Sequence, residues 1–320
     1  MPYYLGIDGG GSKTTAAIGD ESQLLATATA GPSNIVRVGE PQARESLHQC
    51  VRQACAAAGI TPTQIAHICI GAAGAARPEI AALIRRALAE IVPPAIEVAG
   101  DMRIALEAAF DAGPGVTVNA GTGSFAYGRD AHGTTARAGG WGFAISDEGS
   151  AHWIGRAAVS AALHANDPTV DGSHERVAEP DPRLLRTLQK AWGTRSLEDF
   201  VRAANSTPPP DFSALFPAVL ACAEDNDSVA QRVLTQAGTE LAQIAIVVIR
   251  RLFPKTAPPS ESVAPDTTVP LAMVGGVFRH APQVRHVFYN ELHQQDPRVH
   301  LNPEVVTPVE GALRLARRAK

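Results

Sequence analysis

The chain has 320 residues, of which 45% are hydrophobic and 19% are charged, and its formal net charge is -4 at pH 7. A chain of this length and apolar content can bury a large core, and we expect two domains of common size. The slight negative charge and the absence of a Lys or Arg run argue against nucleic acid as the main partner. We expect no membrane-spanning stretch and no signal peptide, and therefore a cytoplasmic location.

The four cysteines form no recognisable motif. They lack the Cys-x-x-Cys spacing of redox or zinc sites, and no histidines stand at zinc-ligand spacing from them. We therefore expect reduced cysteines that are mostly buried, at Cys50, Cys55, Cys69 and Cys222.

Two short apolar segments, residues 3–7 and 15–18, open the chain and flank a glycine-rich turn, which is typical of a β-hairpin. Glycines let backbone N–H groups approach an anion closely, and hydroxyls add donors, so this turn can bind a phosphate. Asp8, at the strand end, could hold a magnesium ion through water. The turn matches neither the Walker nor the Rossmann motif, and alone it is equally typical of an ordinary hairpin. The candidate phosphate-binding residues are Gly9, Gly10, Gly11, Ser12, Lys13 and Thr14.

The next hundred residues alternate predicted strands and helices. Strands are expected at 23–29, 64–70 and 95–98, and helices at 41–58, 78–91 and 102–110. This order predicts a mixed sheet with helices on its faces. Asn34 lies in a turn after the third strand, and Asp101 lies where a strand gives way to a helix. Taken alone, Asp101 is more typical of a helix N-cap than of a catalytic base.

A second hairpin with a glycine and hydroxyl turn follows, with strands at 116–119 and 125–127. This weak internal repeat suggests two similar folding units that grip a nucleotide. Its turn contains Gly121, Thr122, Gly123 and Ser124. Residues 139–150 are glycine-rich and irregular, and they carry a Trp and two carboxylates, Asp147 and Glu148.

The remaining chain is mostly helical. Helices are predicted at 183–192, 197–204, 213–223 and 228–252, and the last is apolar on most faces and therefore central to a core. Residues 254–270 are rich in Pro, Ser and Thr and are predicted to form an exposed, mobile loop. A strand at 271–274 then meets Gly275 and Gly276, a helix extends to residue 293, and a short helix at 309–318 ends the chain.

The four glycine turns, at 8–14, 121–124, 140–150 and 275–276, resemble in their order the sugar kinase, heat-shock chaperone and actin superfamily. More closely, they resemble its N-acetylglucosamine kinase branch, within the group that also holds the BadF/BadG-type ATPases. The resemblance covers almost the whole chain. It implies an α/β fold of two ribonuclease-H-like (actin-like ATPase) domains, with a nucleotide cleft between them. The expected domains are residues 1–112 and 113–308, with the C-terminal helix, 309–320, packed back on the first.

The resemblance also implies roles for individual residues. The turns at 9–14 and 121–124 would clasp the ATP phosphates, and Gly275 and Gly276 would lie against the adenosine, where a Cβ would collide. Asp101 would be the catalytic base for a sugar hydroxyl, with Mg²⁺ neutralising charge. Positions at or near the sugar are Asn34, Asp101, Thr122, Gly140, Trp141 and Asp147.

We therefore expect an ATP- and Mg²⁺-dependent kinase that phosphorylates the 6-hydroxyl of N-acetylglucosamine or glucosamine. Residues 71–74 lack the hydroxyl that the family often has there, so N-acetylmuramic acid also stays open as a substrate. Whether Glu148 takes part in the chemistry stays open too. The resemblance is compatible with a homodimer.

Three other functions share this fold. A BadF-type activator needs cysteine ligands for an iron–sulfur cluster near the second turn, and residues 116–127 contain none. A sugar-sensing repressor needs an N-terminal helix-turn-helix, for which the first strand leaves no room. A non-catalytic sugar-binding or chaperone-type ATPase is the third, and Asp101 argues against it.

Overall fold

The computed structural model describes residues 2–92, 95–166, 183–255 and 268–319. The chain forms two compact units. Unit 1 comprises Met1–Thr117, Gly128–Thr134 and Val306–Lys320, and unit 2 comprises Val118–Tyr127 and Thr135–Val305. The functional domains predicted above, 1–112 and 113–308, remain a proposal.

The first sheet has five strands in the order β3-β2-β1-β4-β5. Strands β1, β2 and β3 are antiparallel neighbours, whereas β4 and β5 continue the sheet in parallel from β1, so the predicted mixed sheet and opening hairpin are confirmed. The strand bounds are β1 Tyr3–Gly9, β2 Thr14–Gly19, β3 Leu24–Ala30, β4 Ile65–Ala72 and β5 Ile96–Gly100.

Helices cover both faces of this sheet. One face packs an aliphatic core against α2 and α3, with Leu5 and Ile7 of β1 fully buried in it. The other face packs on α4 and α12 through a smaller cluster that includes Cys69, Ile104 and Ala312. Alternate residues of each strand therefore contribute to different cores. The helices of this unit are α1 Ile35–Val38, α2 Glu40–Ala58, α3 Pro78–Ala89, α4 Asp101–Phe110 and α12 Pro308–Arg318.

The helix α12 fixes the position of α4. A Cβ at Gly311 would collide with the carbonyl oxygen of Ile104, so the two helix backbones are in direct contact. Buried Glu107 accepts hydrogen bonds from Arg129 at 3.0 Å and from Arg318 at 2.8 Å, so a carboxylate on α4 is shared by two guanidinium groups. Because this carboxylate is paired twice, the helix that begins at Asp101 has little freedom to shift.

The second sheet also has five strands, in the order β10-β9-β6-β7-β8. Its strands are β6 Gly115–Ala120, β7 Ser124–Arg129, β8 Thr135–Gly139, β9 Val269–Val274 and β10 Val299–Val306. The helices of unit 2 are α5 Ala151–Ala165, α6 Arg183–Ala191, α7 Leu197–Ala204, α8 Phe216–Glu224, α9 Ser228–Leu252, α10 Gly276–His280 and α11 Pro282–Gln295.

Helix α9 bears on the expectation that the chain has no membrane-spanning stretch. By length and composition alone it could cross a membrane, although no such stretch was expected. However, 56% of its most apolar window is buried, and the helix packs against α5, α8 and α11. Core helices pass the same test of length and composition, so α9 is the central core helix that its apolar circumference predicted.

The structure differs from the predicted elements mainly at sheet edges. Strand β8 was not predicted, and most of β10 was missed because Pro303 interrupts it. Both strands lie at edges of their sheet, where a residue without an N–H is tolerated. The helix expected to extend to residue 293 is divided at Ala281, before Pro282 begins α11. Of the predicted loop at 254–270, residues 256–267 lie outside the described residues, and 269–270 belong to β9.

Candidate functional site

Two carboxylates of unit 1 lie at one edge of the first sheet. Asp8 pairs with Gly71 of β4, which in turn pairs with Ala99 of β5. Because side chains alternate along a strand, these three residues share the face that packs on α4 and α12. Asp101 comes two residues after Ala99, as the first residue of α4. The carboxyl ends of parallel strands therefore bring Asp8 and Asp101 to the same edge.

The two carboxylates interact electrostatically. The pKa of Asp8 is raised from 3.8 to about 7, first by burial and second by the negative charge of Asp101, while the positive charge of Lys13 opposes the rise. Asp101 accepts a hydrogen bond from the backbone N–H of Met102 at 3.0 Å. The N-cap of α4 is Gly100, so Asp101 does not hold the capping position that its sequence context favoured.

This pair fits a magnesium ion in composition. The described ranges contain no cluster of three or more His, Cys, Asp or Glu that could form a complete metal site. Mg²⁺ is usually held by only one or two carboxylates, with waters and substrate phosphates completing its shell. A divalent cation would also relieve the cost of ionising Asp8 beside Asp101. Asp8 would hold it through water, and the negative charge of Asp101 beside it would add to the attraction.

The glycine-rich turn between β1 and β2 is closed by its own backbone. The N–H of Gly10 donates to the carbonyl of Lys13 at 3.0 Å, and the N–H of Ser33 donates to the carbonyl of Gly10 at 3.2 Å. The side chains of Ser12 and Lys13 are exposed. The turn therefore presents these two residues outward.

Thr14 differs from its predicted role in phosphate binding. Its side chain is fully buried, and its hydroxyl donates to the carbonyl of Gly31 at 2.7 Å. The same oxygen is hydrogen-bonded to Ser33 Oγ at 2.7 Å. The Thr14 hydroxyl is thus used within the protein, and its donor is not directed at a ligand.

Asn34 caps the short helix α1. Its Oδ1 accepts a hydrogen bond from the N–H of Val36 at 3.1 Å, which fixes the orientation of the carboxamide. The Nδ2 group remains a donor on that side chain. Asn34, the predicted sugar contact, therefore has a side chain whose orientation is already fixed.

The second turn, in unit 2, is held by the start of α5. The N–H groups of Ala151 and His152 donate to the carbonyls of Gly121 and Thr122, at 2.9 and 3.4 Å. Ser124 is buried, and its hydroxyl donates to the carbonyl of Glu148 at 2.6 Å. As at Thr14, the hydroxyl predicted to contact phosphate is used internally.

Residues 140–150 form an irregular loop beside this turn. Asp147 is buried with a positive φ of 65°, and a Cβ on Gly123 would lie only 2.7 Å from its Oδ2. Burial raises the pKa of Asp147, and the charge of Glu148 adds to the rise. Glu148 accepts a hydrogen bond from Ser146 at 3.1 Å. The structure thus brings Asp147 against the second turn.

Trp141 is not a core residue, because 69% of it is exposed. The guanidinium carbon of Arg137 lies 4.4 Å from the centre of its ring, which is a cation–π distance. The flanking glycines, Gly140 and Gly142, have φ values of 72° and 103°. The loop therefore holds an open aromatic surface with one face against a cation.

The two glycines after β9 differ in whether the fold itself requires a glycine at that position. Gly275 has a φ of 103°, and a Cβ there would collide with the carbonyl oxygen of Ala120. The protein backbone itself therefore requires a glycine, and the predicted contact of Gly275 with the adenosine is not needed to explain it. A Cβ on Gly276, the first residue of α10, would meet no protein atom within 4 Å. The adenosine explanation remains a prediction for Gly276.

Replacing each of these glycines by alanine is expected to separate the two explanations. Gly275→Ala should lower the melting temperature by several degrees, since a positive φ and a backbone collision together cost about 2 kcal/mol or more. Gly276→Ala should leave the melting temperature unchanged, because alanine suits a helix start, yet weaken ATP binding at least about tenfold if the nucleotide lies there. Thermal unfolding and ATP titration measure both, and unchanged ATP affinity in Gly276→Ala would contradict the assignment.

Two residues near this sheet edge were not among the predicted site residues. Ser33 approaches Gly9, where a Cβ would lie 3.0 Å from its hydroxyl oxygen. Gly71 lies on β4, between the strand that carries Asp8 and the strand that precedes Asp101. A Cβ on Gly71 would collide with Ile104 of α4. The available signal was the position of Gly71 at the end of a predicted strand.

The sequence matches the BadF/BadG/BcrA/BcrD ATPase family over residues 5–316. It is 29% identical over 319 residues to the N-acetylmuramic acid/N-acetylglucosamine kinase of Clostridium acetobutylicum, which covers 99% of each chain. It is 24% identical over 331 residues to the N-acetyl-D-glucosamine kinase of Dictyostelium discoideum, covering 99% of this chain and 98% of that protein.

The structure is similar to a solved structure described as a candidate N-acetylglucosamine kinase from Chromobacterium violaceum. The TM-score is 0.74 with 24% sequence identity, and the match covers 99% of each chain. At this identity the likeness concerns the fold. The predicted α/β architecture of the actin-like ATPase type is thereby confirmed.

Proposed function

Because the chain belongs to the BadF/BadG/BcrA/BcrD ATPase family, we propose that it is an ATP-dependent amino-sugar kinase. In this proposal the γ-phosphoryl group of ATP is transferred to the 6-hydroxyl of N-acetylglucosamine or glucosamine. The names of the two curated relatives support an amino-sugar substrate. The observation that carries the proposal is the pair of interacting carboxylates, Asp8 and Asp101, at one sheet edge.

The two carboxylates have separate roles in the proposed reaction. Asp101 takes the proton from the sugar hydroxyl as its oxygen attacks the γ-phosphorus, and ADP leaves. Asp8 would hold Mg²⁺ through water, and the ion would supply charge neutralisation at the phosphates. We assign the base to Asp101, at the start of a helix, and the metal ligand to Asp8, within a strand.

Phosphate binding is assigned to backbone N–H groups more than to hydroxyls. The turns at 9–13 and 121–123 keep glycines at five positions, whereas the hydroxyls of Thr14 and Ser124 are used internally. Backbone amides suit phosphates because they approach closely and their dipoles are fixed. Ser12 and Lys13 add an exposed hydroxyl and a cation.

Sugar binding is assigned to Asn34, Trp141 and Asp147. The carboxamide of Asn34 is fixed by its capping bond, and the exposed ring of Trp141 offers an apolar face for a pyranose. Buried Asp147 accepts a hydrogen bond from Gly142 at 3.4 Å and retains acceptor capacity for a hydroxyl. N-acetylmuramic acid remains a third candidate substrate. The cytoplasmic location remains a prediction from the sequence, and the homodimer remains a prediction from the resemblance.

The activator alternative is opposed by the cysteines. All four are free and buried. Burial raises the pKa of Cys50 and Cys55 to about 11 and that of Cys69 to about 12. An iron–sulfur cluster needs thiolate ligands that can reach it, so these thiols are poor candidates.

A coupled assay of ADP release tests the proposal. Mg-ATP would be supplied with N-acetylglucosamine, glucosamine, N-acetylmannosamine, N-acetylmuramic acid, glucose or no sugar. Release that depends on an amino sugar is expected, and ³¹P–¹H correlation spectra of the product would identify the phosphorylated hydroxyl. Slow ADP release at the same rate with every sugar and without sugar would overturn the kinase proposal and favour an ATPase.

A further inference from the structure

Arg77 lies in the turn that follows β4, in unit 1. Strand β4 lies between β1, which carries Asp8, and β5, which is followed by Asp101. Since the three strands are parallel, the turn after β4 leaves the sheet at the edge where the two carboxylates lie. Arg77 is the residue before α3, and its N–H donates to the carbonyl of Gly74 at 3.0 Å.

The guanidinium of Arg77 lies over this turn and beside α1. A Cβ built on Gly74 would be 2.9 Å from Nη2 of Arg77 and 3.5 Å from Cγ2 of Val36. Gly74 has a φ of 80° and no side chain, so the guanidinium can approach the backbone of the turn closely. The neighbour Val36 belongs to the helix that Asn34 caps. A cation and an apolar side chain are therefore adjacent next to the proposed sugar contact.

Among the residues that the structure describes, this guanidinium has no acidic partner. Across the described ranges, no carboxylate lies within 4 Å of Arg77. By contrast, three other arginines of unit 1 have such partners: Arg44 with Glu90 at 2.5 Å, Arg86 with Glu40 at 2.8 Å and Arg103 with Glu97 at 2.6 Å. Val36 beside it is 59% exposed. The planar fork of an arginine matches a carboxylate in a bidentate pair.

We propose that Arg77 is a specificity-determining residue that binds a carboxylate carried by the amino sugar, with Val36 contacting the apolar part of the same substituent. This inference rests on the proposed kinase function. Its substrate class is an amino sugar with a short carboxylic-acid ether on the ring. N-acetylmuramic acid fits, because it is N-acetylglucosamine with a lactyl ether that bears one methyl and one carboxylate.

The test compares N-acetylmuramic acid with N-acetylglucosamine as substrates of the full chain and of Arg77→Gln. The variant should raise KM for N-acetylmuramic acid roughly ten- to hundredfold, with little change in kcat, because a charge-assisted contact to bound substrate is lost. KM for N-acetylglucosamine should stay within about twofold. Arg77→Lys should give an intermediate KM for the acidic sugar, since the charge is kept and the fork is lost.

Arg52→Gln is the matched control, because Arg52 is an exposed arginine on α2 of the same unit and the charge change is identical. It should leave both KM values unchanged. Equal effects of Arg77→Gln on both sugars, or none on either, would overturn the carboxylate contact, as would a wild-type chain that phosphorylates N-acetylglucosamine but not N-acetylmuramic acid. If the wild type phosphorylates no sugar at all, the proposed kinase itself fails.

Discussion

Replacing Asp101 by Asn is expected to lower kcat at least about a hundredfold, because an amide cannot accept the proton of the attacking hydroxyl. The affinity for ATP should change little, since the variant removes no backbone N–H from either glycine-rich turn. The fold should be kept as well, because Asn retains the Oδ1 acceptor that bonds the N–H of Met102 at 3.0 Å. Steady-state kinetics with the best amino sugar, together with ATP titration and thermal unfolding, measure the three quantities.

A control for this variant exists at the other end of the same helix. Asp111 follows α4, is exposed and pairs with Arg318, so Asp111→Asn removes one negative charge near α4 without touching the sheet edge. Its kcat should stay within about twofold of the wild type. A near-normal kcat in Asp101→Asn would remove Asp101 from the role of base. A fall in melting temperature of several degrees would instead point to a structural role.

The sequence predicted the first sheet well because its signals are local. Apolar runs of five to eight residues and the glycines between them indicate strands and turns whatever lies elsewhere in the chain. The edge strand β10 was missed because its local signal is misleading. Its Pro303 argues against a central strand, and only the strand order shows that β10 is at an edge.

The site was less predictable because its details depend on partners far along the chain. A hydroxyl in a glycine turn looks the same in sequence whether it faces a ligand or the core. The hydroxyl of Thr14 turns inward because it donates to the carbonyl of Gly31 and is hydrogen-bonded to Ser33 Oγ. The hydroxyl of Ser124 turns inward because it donates to the carbonyl of Glu148. The sequence does not show that Arg77 lies beside Val36, because the two residues are far apart in the chain and meet only at Gly74 in the fold.

The glycine pair at 275–276 was predicted to serve the nucleotide, although the fold alone explains one of the two glycines. The pattern of a strand followed by two glycines identified the turn, and the resemblance explained both glycines by the nucleotide. For Gly275 the cause is instead the close passage of β6, whose Ala120 carbonyl occupies the space of a side chain. A glycine in a motif can thus serve the fold and a ligand by different atoms.

Replacing Asp8 by Asn is expected to stabilise the metal-free protein at pH 8 while it removes activity. The pKa of Asp8 is raised to about 7, because burial and Asp101 together outweigh the attraction of Lys13. A carboxyl whose pKa is higher in the folded state than in the unfolded state prefers to be protonated when folded. The free energy of unfolding therefore falls as pH rises from about 4 to about 7, and the loss is complete above that range.

The size of the effect follows from the shift. A rise of about three pKa units corresponds to at most about 4 kcal/mol, and because Asp8 is partly exposed the expected effect is roughly 2–4 kcal/mol. Asn carries no charge, so the variant avoids this cost at pH 8 but gains nothing at pH 4. The melting temperature of Asp8→Asn should thus exceed that of the wild type by several degrees at pH 8, with the difference vanishing toward pH 4.

Asp20→Asn provides a control of opposite sign in the same unit. Backbone N–H groups of Gln23 and Ser22 lower the pKa of Asp20, so its ionised form stabilises the fold, and this variant should be less stable than the wild type at pH 8. Added Mg²⁺ at pH 8 should raise the melting temperature of the wild type and leave that of Asp8→Asn unchanged, since the proposed ligand is gone. An Asp8→Asn protein that is less stable than the wild type at pH 8 would show that ionised Asp8 makes net favourable contacts. In that case ionised Asp8 would not destabilise the metal-free fold, and a bound cation would have no such cost to relieve.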